Sequence, residues 1–116
     1  MSGGPQSSDW REPARPVRDG TGVTAVDLCD FTDRTPLASP NPPVIRSLSV
    51  GDLLSIILVK GPPTVVEARN GQGQTAGSIT STMLAQLTEC LQGGRQYVAE
   101  VISIHGGTCI VEVRPK

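Results

Sequence analysis

The stretch that decides the fold is residues 70–113, NGQGQTAGSITSTMLAQLTECLQGGRQYVAEVISIHGGTCIVEV. In order, it has the pattern of a turn, a short strand ending at Ile79, an amphipathic helix and a two-stranded hairpin. Asn70-Gly71 suits a tight type I′ turn, which needs positive φ at both central residues, although a longer connection fits equally well. The second hairpin turns at Gly106-Gly107. This order predicts a mainly β protein with one helix.

The helix of this stretch is predicted over residues 81–92. Thr80 and Ser81 can both accept hydrogen bonds from the free amides of its first turn. Gly93-Gly94 supplies the glycine that commonly ends a helix. Apolar side chains recur at helical spacing and form one stripe. The stripe consists of Met83, Leu84, Leu87, Cys90 and Leu91.

The last hairpin can be aligned by counting outward from its turn. If Gly106-Gly107 is the loop, Ile104 faces Cys109 and Ile102 faces Val111. Alternate residues then share a face. The predicted core face consists of Val98, Ile102, Ile104, Cys109, Val111 and Val113, with Glu100 at its open end. The predicted outer face carries Tyr97, Ala99, Val101 and Ile110 among polar residues. A shift of one residue would exchange the two faces.

The chain before residue 70 supplies the other strands. Residues 53–59 are apolar on both faces, which predicts a central strand. Gly61-Pro62-Pro63 then turns the chain into a strand over residues 64–68. Together these elements predict a small β-barrel of about five or six strands. One amphipathic helix packs between the third-last and the last two strands.

Composition divides the chain into three parts. Seven of the ten prolines lie in residues 1–47, whereas most glycines follow. Residues 1–22 are predicted to be a flexible Pro-rich head. Residues 23–47 hold a candidate first strand over 23–31 and a proline-rich, polyproline-like connector over 39–43. Residues 48–116 are predicted to form the barrel-like domain.

Charge and cysteine content limit the function classes. The net charge is −1 and both halves are balanced, which disfavours a grip on nucleic-acid phosphates. The three aromatic residues offer few stacking platforms for single strands. Three cysteines without zinc-type spacing, together with a polar amino terminus, predict no metal or other cofactor, no membrane partner and a cytoplasmic location.

Catalysis has one candidate pair, His105 and Cys109. A cysteine nucleophile needs an imidazole within hydrogen-bond reach. The predicted hairpin sends Cys109 inward and His105 outward, so a buried structural cysteine is favoured. No serine elbow, phosphate loop or dinucleotide motif is present. The sequence therefore predicts a protein without enzymatic activity, and a cysteine-dependent enzyme is the least favoured alternative.

Several segments resemble the second half of HIRAN domains. These are Val65-Val66-Glu67-Ala68, Ala76-Gly77-Ser78-Ile79, the helix ending at Gly94, and Tyr97-Val98-Ala99-Glu100-Val101. The resemblance covers residues 65–113 and implies a small barrel with a packed helix. In helicase-linked members this fold holds the 3′ end of single-stranded DNA. The family has an Asn-Pro-Asp-containing run before its Ala-Ile-Val strand, and here Lys60-Gly61-Pro62-Pro63 occupies that place. The family's DNA-binding positions therefore have no counterpart in this chain.

The predicted function is a protein-interaction module. A half-apolar outer face on the last hairpin suggests that a protein partner, or a second copy of this chain, covers it. Tyr97, Val101 and Ile110 are the candidate contact residues. Trp10 in the head is a further candidate anchor. The resemblance to HIRAN domains adds binding of single-stranded DNA ends as an alternative.

Overall fold

The computed structural model describes residues 27–116, which form six strands and two short helices. The strands are β1 Asp33–Pro36, β2 Leu53–Val59, β3 Val65–Arg69, β4 Thr75–Ser78, β5 Tyr97–His105 and β6 Thr108–Pro115. The helices are α1 Pro42–Arg46 and α2 Leu84–Gln92. The mainly β class and the position of α2 before the last two strands are confirmed.

All six strands belong to one antiparallel sheet in the order β1-β6-β5-β2-β3-β4. The sheet curls into a half-barrel and does not close into the barrel that the sequence predicts. Its two edges meet at one bridge, where the backbones of Ala38 and Ser78 exchange two hydrogen bonds of 2.8 and 2.9 Å. The β2 strand is interior, as its two apolar faces predict.

The core fills the inner side of the curled sheet. Its largest fully buried side chains include Leu54, Val66, Leu87 and Val111. Helix α2 contributes Leu87 and Cys90, and its half-buried Leu84 and Leu91 pack at the margin. The helix ends at Gln92 as predicted, and Gly94 follows it with a φ of +96°, but it begins at Leu84 and not at residue 81. Ser81 accepts a hydrogen bond from the Met83 amide, so it caps the turn that leads into α2.

A β-bulge in β5 reverses the predicted faces of the last hairpin. The pairs next to the turn, Ile104–Cys109 and His105–Thr108, lie where the sequence places them. Val101 then pairs with Val111, and Ile102 is left as the extra residue of the bulge. Tyr97, Ala99 and Val101 therefore face the core, and Val98 and Ile102 are only partly buried. The predicted core face was wrong for this part of β5 and right for β6.

Two predictions for residues before β2 were also wrong. Residues 27–31 form no strand, and the first described strand is β1, while residues 23–26 lie outside the described range. The expected polyproline connector becomes α1, with a proline in its first turn and Val44 and Ile45 buried. Proline is tolerated there because the first amides of a helix have no internal partner. The packed unit thus begins before residue 48. The predicted head, residues 1–22, lies outside the described residues.

Gly77 lies where the two edges of the sheet approach each other most closely. A Cβ at this position would lie 2.9 Å from both the carbonyl oxygen of Ala38 and the Cβ of Leu37. We expect Gly77→Ala to lower the free energy of unfolding by about 2 kcal/mol, because backbone must shift to admit the methyl group. Urea denaturation followed by circular dichroism measures the change.

Gly107 offers a matched control for that substitution. It has open space around its Cα and its φ is not positive. Gly107→Ala should change the free energy of unfolding by less than about 0.5 kcal/mol. Equal losses for the two variants would show that the sheet edges are not in close contact at Gly77.

Candidate functional site

The three predicted contact residues that the structure describes do not share an exposed surface. Tyr97 is 2% exposed and Val101 is 0% exposed, so neither can meet a partner in this conformation. Ile110 in β6 is half-buried. Trp10 lies outside the described residues. The prediction of an exposed Tyr97–Val101 face was wrong because the bulge at Ile102 shifts β5 by one residue.

A groove among residues 27–116 lies beside α2. It has a volume of about 570 Å³ and runs between α2 and the residues that precede β1. We call it the α2 groove, and we call residues 27–31 the entry segment. The groove is lined by Leu28, Cys29, Ala85, Gln86, Glu89, Cys90, Gly93 and Arg95. Its volume lies in the range of sites that bury a ligand or a large side chain.

A disulfide between Cys29 and Cys90 forms one wall of the α2 groove. The two Cα atoms lie 5.7 Å apart, and the bond joins the entry segment to α2 across 61 residues of sequence. Cys90 is buried, as the apolar stripe predicts, but it is bonded rather than a free hydrophobic side chain. The sequence does not indicate this pairing, because the two cysteines are far apart and three cysteines allow more than one pairing.

Hydrogen bonds from α2 and β5 also hold the entry segment. The Gln86 side-chain amide donates to the carbonyl oxygen of Leu28. The Tyr97 hydroxyl donates to the carbonyl oxygen of Cys29. The Phe31 ring packs against the Tyr97 ring with centroids 5.5 Å apart. These contacts add to the burial of Tyr97, which already faces the core, and burial raises the pKa of its phenol.

An ion pair links Arg95, which lines the α2 groove, to Asp27 of the entry segment. Arg95 donates to the carboxylate of Asp27. The pKa of Asp27 is lowered, first by the hydrogen bond from the Cys29 amide and then by the Arg95 guanidinium. Both side chains remain about half exposed, so the pair orients the entry segment more than it stabilises the fold.

The candidate catalytic pair is not assembled for chemistry. Cys109 is fully buried and is the free cysteine of the described residues, as the inward direction predicted for it requires. Burial raises the pKa of its thiol, which lowers the fraction of reactive thiolate. His105 is exposed at the hairpin turn and pairs with Thr108. Cys109 therefore acts as a packed core side chain, and His105 lies outside the core.

The outer face of the sheet carries ion pairs between neighbouring strands. Arg34 pairs with Glu112 at 3.0 Å, and Arg114 pairs with Glu100 at 2.7 Å. Within β3, Arg69 pairs with Glu67 at 2.8 Å and lowers the pKa of that carboxyl. Four of the five arginines in residues 27–116, counting Arg95, are thus matched by a carboxylate.

Two searches of residues 27–116 gave negative results. No three histidine, cysteine or acidic side chains come together there as a metal-binding group. In the same range, neither helix has the length and apolar character needed to cross a bilayer. No protein-family model, curated protein or solved structure matches this chain. The functional proposals therefore rest on the geometry of the described residues alone.

Proposed function

We propose that this chain is a non-enzymatic interaction module that receives a protein partner in the α2 groove. The observation that carries the proposal is Leu28, whose side chain is 66% exposed at the rim of a groove with apolar walls. An exposed leucine is ordinary by itself. Here it lies beside an open groove of the size that binding sites use, so it marks a place where a partner can gain burial.

The entry segment holds Leu28 in place before any partner arrives. The neighbouring Cys29 is covalently linked to α2. The carbonyl oxygen of Leu28 itself accepts a hydrogen bond from the Gln86 side chain. A contact residue that is already ordered costs less conformational entropy on binding. The groove is therefore prepared for an apolar side chain of the partner.

The charges at the rim describe the rest of the partner. Glu89 and Arg95 both line the groove, and Arg95 already has Asp27 as its ion-pair partner. A partner that matches this rim would present an apolar anchor flanked by polar groups, with a cationic group placed toward Glu89. This is the usual composition of a small protein–protein contact, with an apolar centre and a polar rim.

Photo-crosslinking tests the proposal with one residue inside the site and one outside it. We place a benzophenone amino acid at Leu28 or at Val50 of the full chain and irradiate intact cells. Val50 is a matched control because it is also apolar and also 66% exposed, but it does not line the α2 groove. We expect position 28, and not position 50, to yield a discrete protein adduct.

Binding measurements with the purified adduct partner then give the magnitude. Leu28→Asp should weaken that binding at least about tenfold, whereas Val50→Asp should leave it unchanged, because only Leu28 lies in the contact. An adduct between two copies of this chain would identify a homodimer as the occupant. The same adducts from both positions, or none from position 28, would overturn the proposal.

Binding of single-stranded DNA ends is the alternative that the HIRAN resemblance implies. The ion pairs of Arg34, Arg69, Arg95 and Arg114 speak against it, because a phosphate would have to displace a carboxylate at each one. Fluorescence anisotropy with a labelled oligonucleotide at low salt tests it. Tight binding that Arg95→Gln abolishes would favour DNA over a protein partner in the α2 groove.

The cytoplasmic location remains a prediction from the sequence. The Cys29–Cys90 disulfide points the other way, since stable disulfides are rare in reducing compartments. Rapid acid quenching of cells, followed by alkylation of the unfolded full chain and mass spectrometry, measures how many cysteines are free. Three alkylated cysteines would agree with the cytoplasm, and a protected Cys29–Cys90 pair would indicate an oxidising compartment.

A further inference from the structure

In the part of the chain that the structure describes, the entry segment is held by α2, by the start of β5 and by the connection between them. Its own residues lie outside every strand and helix. Among residues 27–116, besides the disulfide, the segment accepts hydrogen bonds from the side chains of Gln86, Arg95 and Tyr97. Its own Phe31 ring also packs against the Tyr97 ring. Cys29 and Phe31 reach only the margin of the core.

We propose that the Cys29–Cys90 disulfide is a redox-controlled latch whose reduction releases the entry segment and uncovers Tyr97. The device does not depend on which partner the α2 groove binds. It would regulate such binding, because Leu28 and Cys29 form one wall of the groove and leave together with the segment.

The release is local because the remaining contacts are weak without the covalent bond. The Asp27–Arg95 pair is about half exposed, and such pairs contribute little. Single hydrogen bonds to the carbonyl oxygens of Leu28 and Cys29 can be replaced by water. The sheet and its core, by contrast, are formed by residues from β1 onward, with α2 still anchored by Leu87.

The reductant is a dithiol, and the exchange balances in two steps. A dithiol thiolate attacks the sulfur of Cys29, which is half-buried and thus more accessible than the buried Cys90. The bond between the two cysteine sulfurs breaks, and the Cys90 thiolate leaves and takes a proton. The second dithiol sulfur, after losing its proton, then displaces Cys29, which becomes a thiol. Two electrons reduce the protein, and the dithiol ends as its own disulfide.

Tyr97 reports the state of the latch because it is the single tyrosine of the chain. In the oxidised protein its phenol is buried against the entry segment, and its pKa lies above the ordinary value. The charged groups that act on it are Arg95, Asp27 and Asp30. Release of the segment removes its share of that burial and two of these charges. The pKa should then fall toward the value of a free tyrosine, about 10.

The experiment titrates the full chain by the ultraviolet absorbance of the tyrosine phenolate, with and without dithiothreitol. We use Cys109→Ala as the parent, because it keeps the disulfide and removes the one other thiol. The same parent with Cys29→Ser and Cys90→Ser imitates the open latch. Far-ultraviolet circular dichroism shows whether the sheet persists in each sample.

We expect reduction to lower the pKa of Tyr97 while the sheet signal is unchanged, and the double serine variant to show the lower pKa without reductant. An unchanged Tyr97 pKa after complete reduction would overturn the latch, since the segment would then stay bound. Loss of the sheet signal on reduction would also overturn it, because the disulfide would then support the whole fold. If photo-crosslinking at position 28 fails but the pKa falls, the latch stands and the proposed partner site does not.

Discussion

Val101→Asp is expected to unfold the protein, whereas Ile102→Asp, one residue along the same strand, is expected to leave it folded. Val101 is 0% exposed and pairs with the equally buried Val111. A carboxylate there would be buried without a partner charge, at a cost of several kcal/mol. A domain of this size has a stability of only about 5–13 kcal/mol, so most of it would be lost.

Ile102 is the matched control because it is the bulge residue of β5. It has no pairing residue on β6 and is only partly buried. A carboxylate at Ile102 can reach water, and we expect a loss of no more than about 1 kcal/mol. Thermal and urea denaturation followed by circular dichroism distinguish the two variants.

Milder substitutions keep the test informative if Val101→Asp does not express. Val101→Ala should cost roughly 1–3 kcal/mol through lost burial, and more than Ile102→Ala. The opposite ranking would restore the hairpin register predicted from the sequence. It would place Ile102 in the core and Val101 on the outside, and it would revive Tyr97 and Val101 as contact residues.

The hairpin shows how far the sequence determines the fold. Its turn at Gly106-Gly107 and the inward face of β6 follow from residue type and alternation alone. The face of β5 does not, because Val98 and Ile102 on one side are as apolar as Val101 on the other. Glu100 is the one residue that signals the bulge, since it sits on the predicted core face. In the structure it lies outside and pairs with Arg114.

The predictions for the residues before β2 were wrong for a different reason. Pro42-Pro43 is compatible both with a polyproline connector and with the first turn of a helix. Tertiary contact decides between the two, because α1 is too short to be stable alone and is held by buried Val44 and Ile45. The Asn41 backbone N–H also donates to the carbonyl oxygen of Ala76 in β4 at 2.9 Å. This long-range contact has no local signal in the sequence.

The candidate site was missed because it depends on a pairing across the chain. Cys90 has the apolar spacing of a core residue, and it does lie in the core. Nothing in its own segment distinguishes a thiol from half of a disulfide. Cys29 lies in a stretch that alternates like a strand, and the structure uses that stretch as a covering segment. Both cysteines line the α2 groove.

Leu87→Ala is the second substitution with a large expected effect. Leu87 is 1% exposed and is the largest core side chain that α2 contributes. Alanine is at least as good a helix former as leucine, so the helix itself does not weaken. The loss comes from lost burial and the cavity left behind, and we expect about 3 kcal/mol. Urea denaturation of the oxidised chain measures it.

Leu53→Ala removes the same atoms at a site that is 56% exposed in β2, and it should cost less than about 1 kcal/mol. The comparison decides what positions α2. If Leu87→Ala costs no more than Leu53→Ala, the helix is not packed on the sheet through Leu87. The disulfide would then be its main attachment, and reduction would release α2 together with the entry segment. A large loss at Leu87 alone means that α2 stays on the sheet when the disulfide opens, which is the condition that a local latch requires.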